Sequence, residues 1–172
     1  MTGPPLVAAV MGVSGVGKTT VGTALARRLG WSFQEGDALH PAANVAKMGA
    51  GLPLTDDDRA PWLGRVKAWI DARLDERQAG VITCSALKRS YRDLIRAGRP
   101  GVVLVFITAD RNLIAGRLGE RHGHFMPPAL LPSQFAALEP PAPDEHPITV
   151  SADEPLDEQV MRIEKALAAR PA

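Results

Sequence analysis

Eight consecutive residues, Gly12-Val13-Ser14-Gly15-Val16-Gly17-Lys18-Thr19, have the make-up of a phosphate cradle, with Thr20 next in the chain. They fit the spacing Gly-x-x-x-x-Gly-Lys-[Ser/Thr] in full. Glycines let the backbone curl so that successive N–H groups point at phosphate oxygens, and a helix starting after the loop offers its positive end to the same anion. Lys18 adds a point charge for the outer phosphates, and the Thr19 hydroxyl suits Mg2+. A dinucleotide fingerprint does not fit, because the Gly-x-Gly-x-x-Gly that Gly15 and Gly17 begin ends at Thr20. A guanine-specific switch does not fit either: no Asp is followed three residues later by Gly, and no Lys two residues later by Asp.

Elements that would position this loop are visible in the hydrophobic pattern. Leu6–Met11 is a short apolar run that predicts a buried strand, and Val21, Leu25 and Leu29 recur at helical spacing until Gly30. Further strands are predicted over Trp31–Glu35, Val81–Cys84, Val102–Ile107 and Pro147–Val150. Between them, Trp62, Val66, Trp69, Ile70 and Leu74 make one helical stripe, Ser90–Arg96 reads as helix, and Asp110 caps a helix through Leu118. Leu156, Val160, Ile163 and Leu167 make a last amphipathic helix, while Arg121–Pro143, with six prolines, reads as an irregular flap. Five strands alternating with helices predict an α/β fold with a parallel sheet and helices on both faces. Ligands of such folds sit at the carboxyl ends of the strands, where Gly12, Asp37, Ser85 and Asp110 would converge.

A length of 172 residues is that of one domain, and 45% hydrophobic with 23% charged residues excludes a disordered or fibrous chain. The net charge of +1 gives no one-signed field to recruit nucleic acid or an anionic membrane. Cys84 is the lone cysteine, which excludes an internal disulfide and suits a reducing compartment, and Leu6–Met11 is too short to span a bilayer. The expectation is a cytoplasmic protein with no nucleic-acid or membrane partner.

The densest run of unusual residues is Gly36-Asp37-Ala38-Leu39-His40-Pro41-Ala42-Ala43-Asn44-Val45-Ala46-Lys47-Met48, continuing through Gly51-Leu52-Pro53-Leu54 to Asp56-Asp57-Asp58-Arg59-Ala60-Pro61-Trp62-Leu63. Together with Cys84-Ser85-Ala86-Leu87-Lys88-Arg89-Ser90-Tyr91-Arg92, His124-Phe125-Met126, Leu130-Leu131 and Ser133-Gln134-Phe135, it closely resembles the gluconate kinases of the small, shikimate-kinase-like P-loop type. The resemblance spans Met11 to Glu139 and, more loosely, the rest of the chain. It implies a fold like that of the nucleoside monophosphate kinases, ATP and Mg2+ as cofactors, and transfer of the γ-phosphate to the 6-hydroxyl of D-gluconate in carbohydrate acid catabolism. It also implies a homodimer. On this reading residues 1–172 form one kinase domain, with an acceptor-binding insertion at about 37–77 and a mobile lid at about 119–140.

Phosphoryl transfer needs a carboxylate to orient the acceptor hydroxyl, cations for the transferring group, and exclusion of water. Within the family-like run Asp37 is the candidate for the first role and for a share of the Mg2+ shell beside Thr19. Neither Val81–Cys84, followed by Ser85, nor Val102–Ile107, with Asp110 beyond Thr108 and Ala109, offers an acidic strand end for the metal. A sugar acid needs a guanidinium or ammonium partner and short polar side chains. Arg59, Lys88 and Arg92 are candidates for its carboxylate, Arg59 being similar in position to the acid-binding arginine of shikimate kinases. His40, Ser85 and Gln134 are candidates for its hydroxyls, with Asn44 and Lys47 behind them. His124 lies where shikimate kinases carry Arg-Pro, which favours gluconate over shikimate. By the same resemblance Arg117 stacks on adenine and Arg121 moves onto the phosphates when the flap closes. The three tryptophans read as packing. Two other readings stay open: a kinase for a related polyhydroxy acid, and a module that binds ATP without transferring phosphate.

Overall fold

Apolar runs too short for helices and buried on two faces become the strands of one sheet. In the computed structural model, which describes residues 5–120 and 130–171, these are β1 (Val7–Met11), β2 (Ser32–Gln34), β3 (Gly80–Thr83), β4 (Val102–Thr108) and β5 (Ile148–Ser151). All neighbours are parallel, in the order β2-β3-β1-β4-β5. Helices are α1 (Lys18–Leu29), α2 (Ala42–Gly49), α3 (Asp56–Asp75), α4 (Arg89–Arg96), α5 (Arg111–Glu120), α6 (Leu131–Ala137) and α7 (Leu156–Ala168), with 3-10 turns at Gly36–Leu39 and Pro143–Glu145.

Side chains alternate along each strand, so the sheet feeds two cores. Ala8, Val10, Val103, Val105 and Ile107 point to one side and pack with Val21 and Leu25 of α1, Ile114 of α5, and Val160 and Ile163 of α7. Val7, Ala9, Ile82, Val102 and Leu104 point to the other side, against Trp62, Val66 and Ile70 of α3 and Tyr91 and Ile95 of α4. Register places Val10 beside Thr83 and Gln34 beside Ile82. The loops after β1, β2 and β3 therefore leave the sheet at one edge, which brings the phosphate loop, the Gly36–Leu39 turn and the Ser85 loop together.

The five strands agree with the hydrophobic pattern to within about one residue at each end, and the helices agree in place, although α3 starts about six residues before the first residue of its stripe. Asp110 caps α5 as expected, its Oδ1 accepting from Leu113 N at 2.8 Å. Two helices differ from the expectation. α2 forms where the pattern reads as loop, because Asn44 and Lys47 dock on Asp58 of α3. α6 lies within the stretch expected to be irregular, and Pro132 occupies its first turn, where a proline ring costs no hydrogen bond. The remainder of the expected flap, from Arg121 to Ala129, is outside the described residues. Among the described residues no helix is long and apolar enough to cross a membrane.

Candidate active site

The phosphate loop connects β1 to α1. Gly17, the residue before α1, has φ +101°, and Gly15 has φ +87°, conformations in which a Cβ would be strained. Lys18 is 8% exposed and donates from Nζ to the carbonyls of Gly12 and Val13, both at 3.1 Å. Thr19 Oγ1 donates at 2.5 Å to Glu35 Oε2, on the residue directly after β2. The other oxygen of Glu35 accepts from the Thr83 hydroxyl, which itself accepts from Gly36 N at 2.9 Å. Glu35 is a candidate site residue that the sequence reading missed. Counted inside a predicted strand, it is in fact the acidic strand end that seemed absent, and the signal was its spacing of two from Asp37.

Asp37 is the second residue of the 3-10 turn after Glu35 and lines one small cavity with Ser14, Gly15, Gly17, Lys18, Thr19 and Thr20. That turn is held from two sides. Trp62 Nε1 of α3 donates to Gly36 O at 2.8 Å, and Arg65 donates to Leu39 O at 3.1 Å. Trp62 therefore does more than pack. Gly36 lies so close to β3 that a Cβ would sit 1.8 Å from Thr83 O.

Hard oxygen donors gather here: Thr19 Oγ1, the Glu35 carboxylate and Asp37. Such donors fit Mg2+, which keeps most of its shell for water and phosphate and needs few protein groups. Among the described residues no group of three or more His, Cys, Asp or Glu side chains could hold a metal unaided.

A cavity of about 510 Å3 runs from Gly15, Val16, Gly17 and Thr20 past Arg117 to Ala152, Glu154, Leu156 and Gln159. Arg117 donates to Val16 O at 3.3 Å and to Ala152 O at 3.1 Å, so its guanidinium spans the phosphate loop and the loop after β5. This is the place and shape for a nucleoside attached to the bound phosphates.

A third cavity, of about 170 Å3, is lined by Arg59, Lys88, Tyr91, Gln134, Met48 and Leu130, among others. Arg59 and Lys88 lie over the Tyr91 ring, 5.7 and 5.6 Å from its centroid. Lys88 also donates to Asp56 Oδ1 at 2.9 Å; the Tyr91 hydroxyl first, and then Lys88, hold the Asp56 carboxyl below its usual range, and Asp56 in turn raises the Lys88 ammonium. Gln134 joins this cavity to the phosphate loop, its Oε1 accepting from Ser14 N at 3.0 Å. Two cations on an aromatic floor suit an organic anion.

The structure corrects the expectation for Arg92. That side chain is fully buried, forked onto Glu145 at 2.7 and 3.1 Å, with its third nitrogen on the carbonyls of Ala86 and Leu87. With each nitrogen of its guanidinium bonded, Arg92 braces the loop that carries Ser85 and Lys88 and does not line the acceptor cavity. Lys47 is likewise paired, with Asp58 at 2.5 Å; that bond first, and then Thr55, pulls the Asp58 carboxyl down to about 2. Ser85 is buried in the loop after β3. His40 is buried beside Trp62, and burial, with the charge of Arg59, lowers it to about 4. Burial pushes the Cys84 thiol up to about 12, so it carries no nucleophile. Arg121 and His124 lie outside the described residues.

Phosphate loop, parallel sheet and adjoining anion cavity together define a P-loop phosphotransferase. A family model described as an AAA domain matches residues 7–141. A gluconokinase of Gluconobacter oxydans (strain 621H) is 56% identical over 144 residues, 84% of this chain and 81% of that one. Two solved structures superpose closely. An unliganded sugar kinase from Janibacter sp. HTCC2649 has TM-score 0.91 and 45% identity, covering 98% of this chain and 97% of its own. A gluconokinase from Sinorhizobium meliloti 1021 has TM-score 0.82 and 47% identity, covering 96% and 92%. The chain belongs to the gluconokinase family.

Proposed function

We propose that the protein transfers the γ-phosphoryl group of ATP to the 6-hydroxyl of D-gluconate, giving 6-phospho-D-gluconate and ADP. The observation that carries this reading is the cavity that Asp37 shares with Lys18 and Thr19, a carboxylate facing the phosphate loop. Backbone N–H groups of Gly12 to Thr20 and the Lys18 ammonium hold the phosphates, and Arg117 covers the base. Arg59 and Lys88 take the acceptor's carboxylate, while Ser85, His40 and Gln134 read its hydroxyls. Asp37 orients the attacking hydroxyl and accepts its proton as the oxygen bonds to phosphorus and the bridging oxygen leaves with ADP. Thr19, with Glu35 and Asp37 through its water shell, would hold Mg2+, which neutralises charge on the transferring group when bound.

The same reading makes residues 1–172 one kinase domain with an acceptor-binding insertion at about 37–77 and a lid at about 119–140, gives Arg121 and His124 roles at the phosphates and the acceptor, and carries a cytoplasmic homodimer. The balanced charge and the buried lone Cys84 support the compartment. The deciding experiment is ADP release with Mg-ATP, scanning D-gluconate, shikimate, 5-ketogluconate, AMP and no acceptor, with Lys18→Ala as blank. Release that depends on gluconate is expected. Release with another acceptor moves the substrate assignment, and tight ATP binding without release overturns the catalytic reading.

A further inference from the structure

The hydrogen bonds around His40 determine which of its ring nitrogens carries the proton. Asp58 O is a carbonyl and only accepts, so the Asn44 atom 2.8 Å from it is the amide nitrogen Nδ2. The same nitrogen lies 3.3 Å from His40 Nδ1. An –NH2 group has only hydrogens to offer, so Nδ1 accepts and bears none, and the proton of the neutral ring sits on Nε2. Neither partner is free to turn. Asn44 is buried, and the imidazole stacks on Trp62 at 4.4 Å and 11°, Trp62 being anchored to Gly36 O. His40 N closes the 3-10 turn on Asp37 O at 3.2 Å, and side chains three apart on such a turn share a face. Among the described residues no group takes the Nε2 hydrogen.

We infer that His40 is a donor-only reader of the acceptor: its Nε2–H bonds an oxygen of the polyhydroxy acid beside Asp37, Asn44 is the positioning residue that sets the tautomer, and His40 takes no proton from the attacking hydroxyl. The charged and titratable groups around the ring agree. Arg59 of α3 opposes its protonation and Arg65 of α3 binds the turn at Leu39 O. Lys47 of α2 and Asp58 of α3 cancel one another beyond Asn44, and Cys84 after β3 stays a thiol. Asp37 on the turn itself, with Glu35 before it, belongs to the phosphate side.

Long-range 1H–15N spectra of the 15N-labelled protein test this, since the chain has four histidines and His40→Gln identifies the signals of His40. The expected result is the Nε2–H pattern at about pH 7.5, with Nε2 shifting when D-gluconate is added. Asn44→Leu, or Asn44→Ser if the first does not fold, removes the donor to Nδ1 and should give a mixture of the two neutral tautomers. The variant then raises the KM for gluconate roughly tenfold, about the worth of one hydrogen bond, with kcat within about twofold. A wild-type His40 that shows the Nδ1–H pattern overturns the inference. So does an Nε2 signal that ignores gluconate in an enzyme that phosphorylates it. The choice of added ligand rests on the gluconate reading, but the Nδ1 and Nε2 signals are read without ligand. Their failure is therefore distinct from a failure of gluconate-dependent ADP release, in which case the acceptor found by the scan replaces gluconate in the titration.

Discussion

On the proposed mechanism, two carboxylates two residues apart divide the work at the strand end, and their partners differ accordingly. Asp37 faces the phosphate loop through a shared cavity, whereas Glu35 is held by the hydroxyls of Thr19 and Thr83. Asp37→Asn keeps the shape and removes the proton acceptor, so kcat should fall about 10^2- to 10^4-fold while ATP affinity stays near wild type, measured by coupled assay and calorimetry. Glu35→Gln keeps a hydrogen bond to Thr19 but loses the charge behind it. Half-maximal Mg2+ concentration should rise about 10- to 100-fold with much less change in the KM for gluconate. Equal losses in both variants would refute the division. The sequence makes Asp37, Lys18 and Thr19 legible, because a glycine loop and a family-like run surround them. Glu35 was hidden by its place at the end of a weak strand, and Arg92 by a partner 53 residues away. Local spacing puts Arg92 one turn from Lys88 on the same helix face. Tertiary packing then turns it inward to Glu145, a choice no periodicity encodes.

At the level of elements, the Ser85–Lys88 loop and α4 are held by the segment that follows α6. Glu139 N donates to Leu87 O at 2.8 Å, Glu139 Oε2 accepts from Arg89 N at 2.9 Å, and Asp144 takes the Arg89 guanidinium at 2.6 and 3.0 Å. Beneath them lies the Arg92–Glu145 pair, with both side chains 1% exposed. Removing one member leaves a buried, unpaired charge, so Glu145→Ala should cost about 3–5 kcal/mol in urea unfolding. Arg92→Met with Glu145→Leu should recover most of that loss, which a structural brace permits and a substrate ligand would not. The strands and long helices were legible from their periods because each buries one stripe against the sheet. α2 was not, since its eight residues carry no long stripe and are helical through their attachment to Asp58. Prolines suggested a loop where α6 forms, although a proline in the first turn is compatible with helix.

For the whole molecule, buried His40 ties stability to pH. Unfolded, the ring protonates near 6.5; folded, near 4. Between those values the unfolded chain binds more protons, so stability that is complete at pH 7 is lost as pH falls from 6.5 toward 4. Solvent around the ring screens part of the effect, leaving a decrease on the order of 1–2 kcal/mol. Urea midpoints at several pH values in this window should show it, and His40→Gln should remove that component.

Gly36 separates Glu35 from Asp37 and has no room for a side chain against Thr83 O. An added methyl would push the turn off β3 and carry Asp37 away from the phosphate loop, whatever it did to Glu35. On the proposed mechanism, metal side and acceptor side of the centre are thus geared through one backbone atom, so the enzyme cannot retune one without displacing the other. In a saturation library selected for growth on the acceptor, position 36 should admit glycine alone, while the exposed positions around it drift.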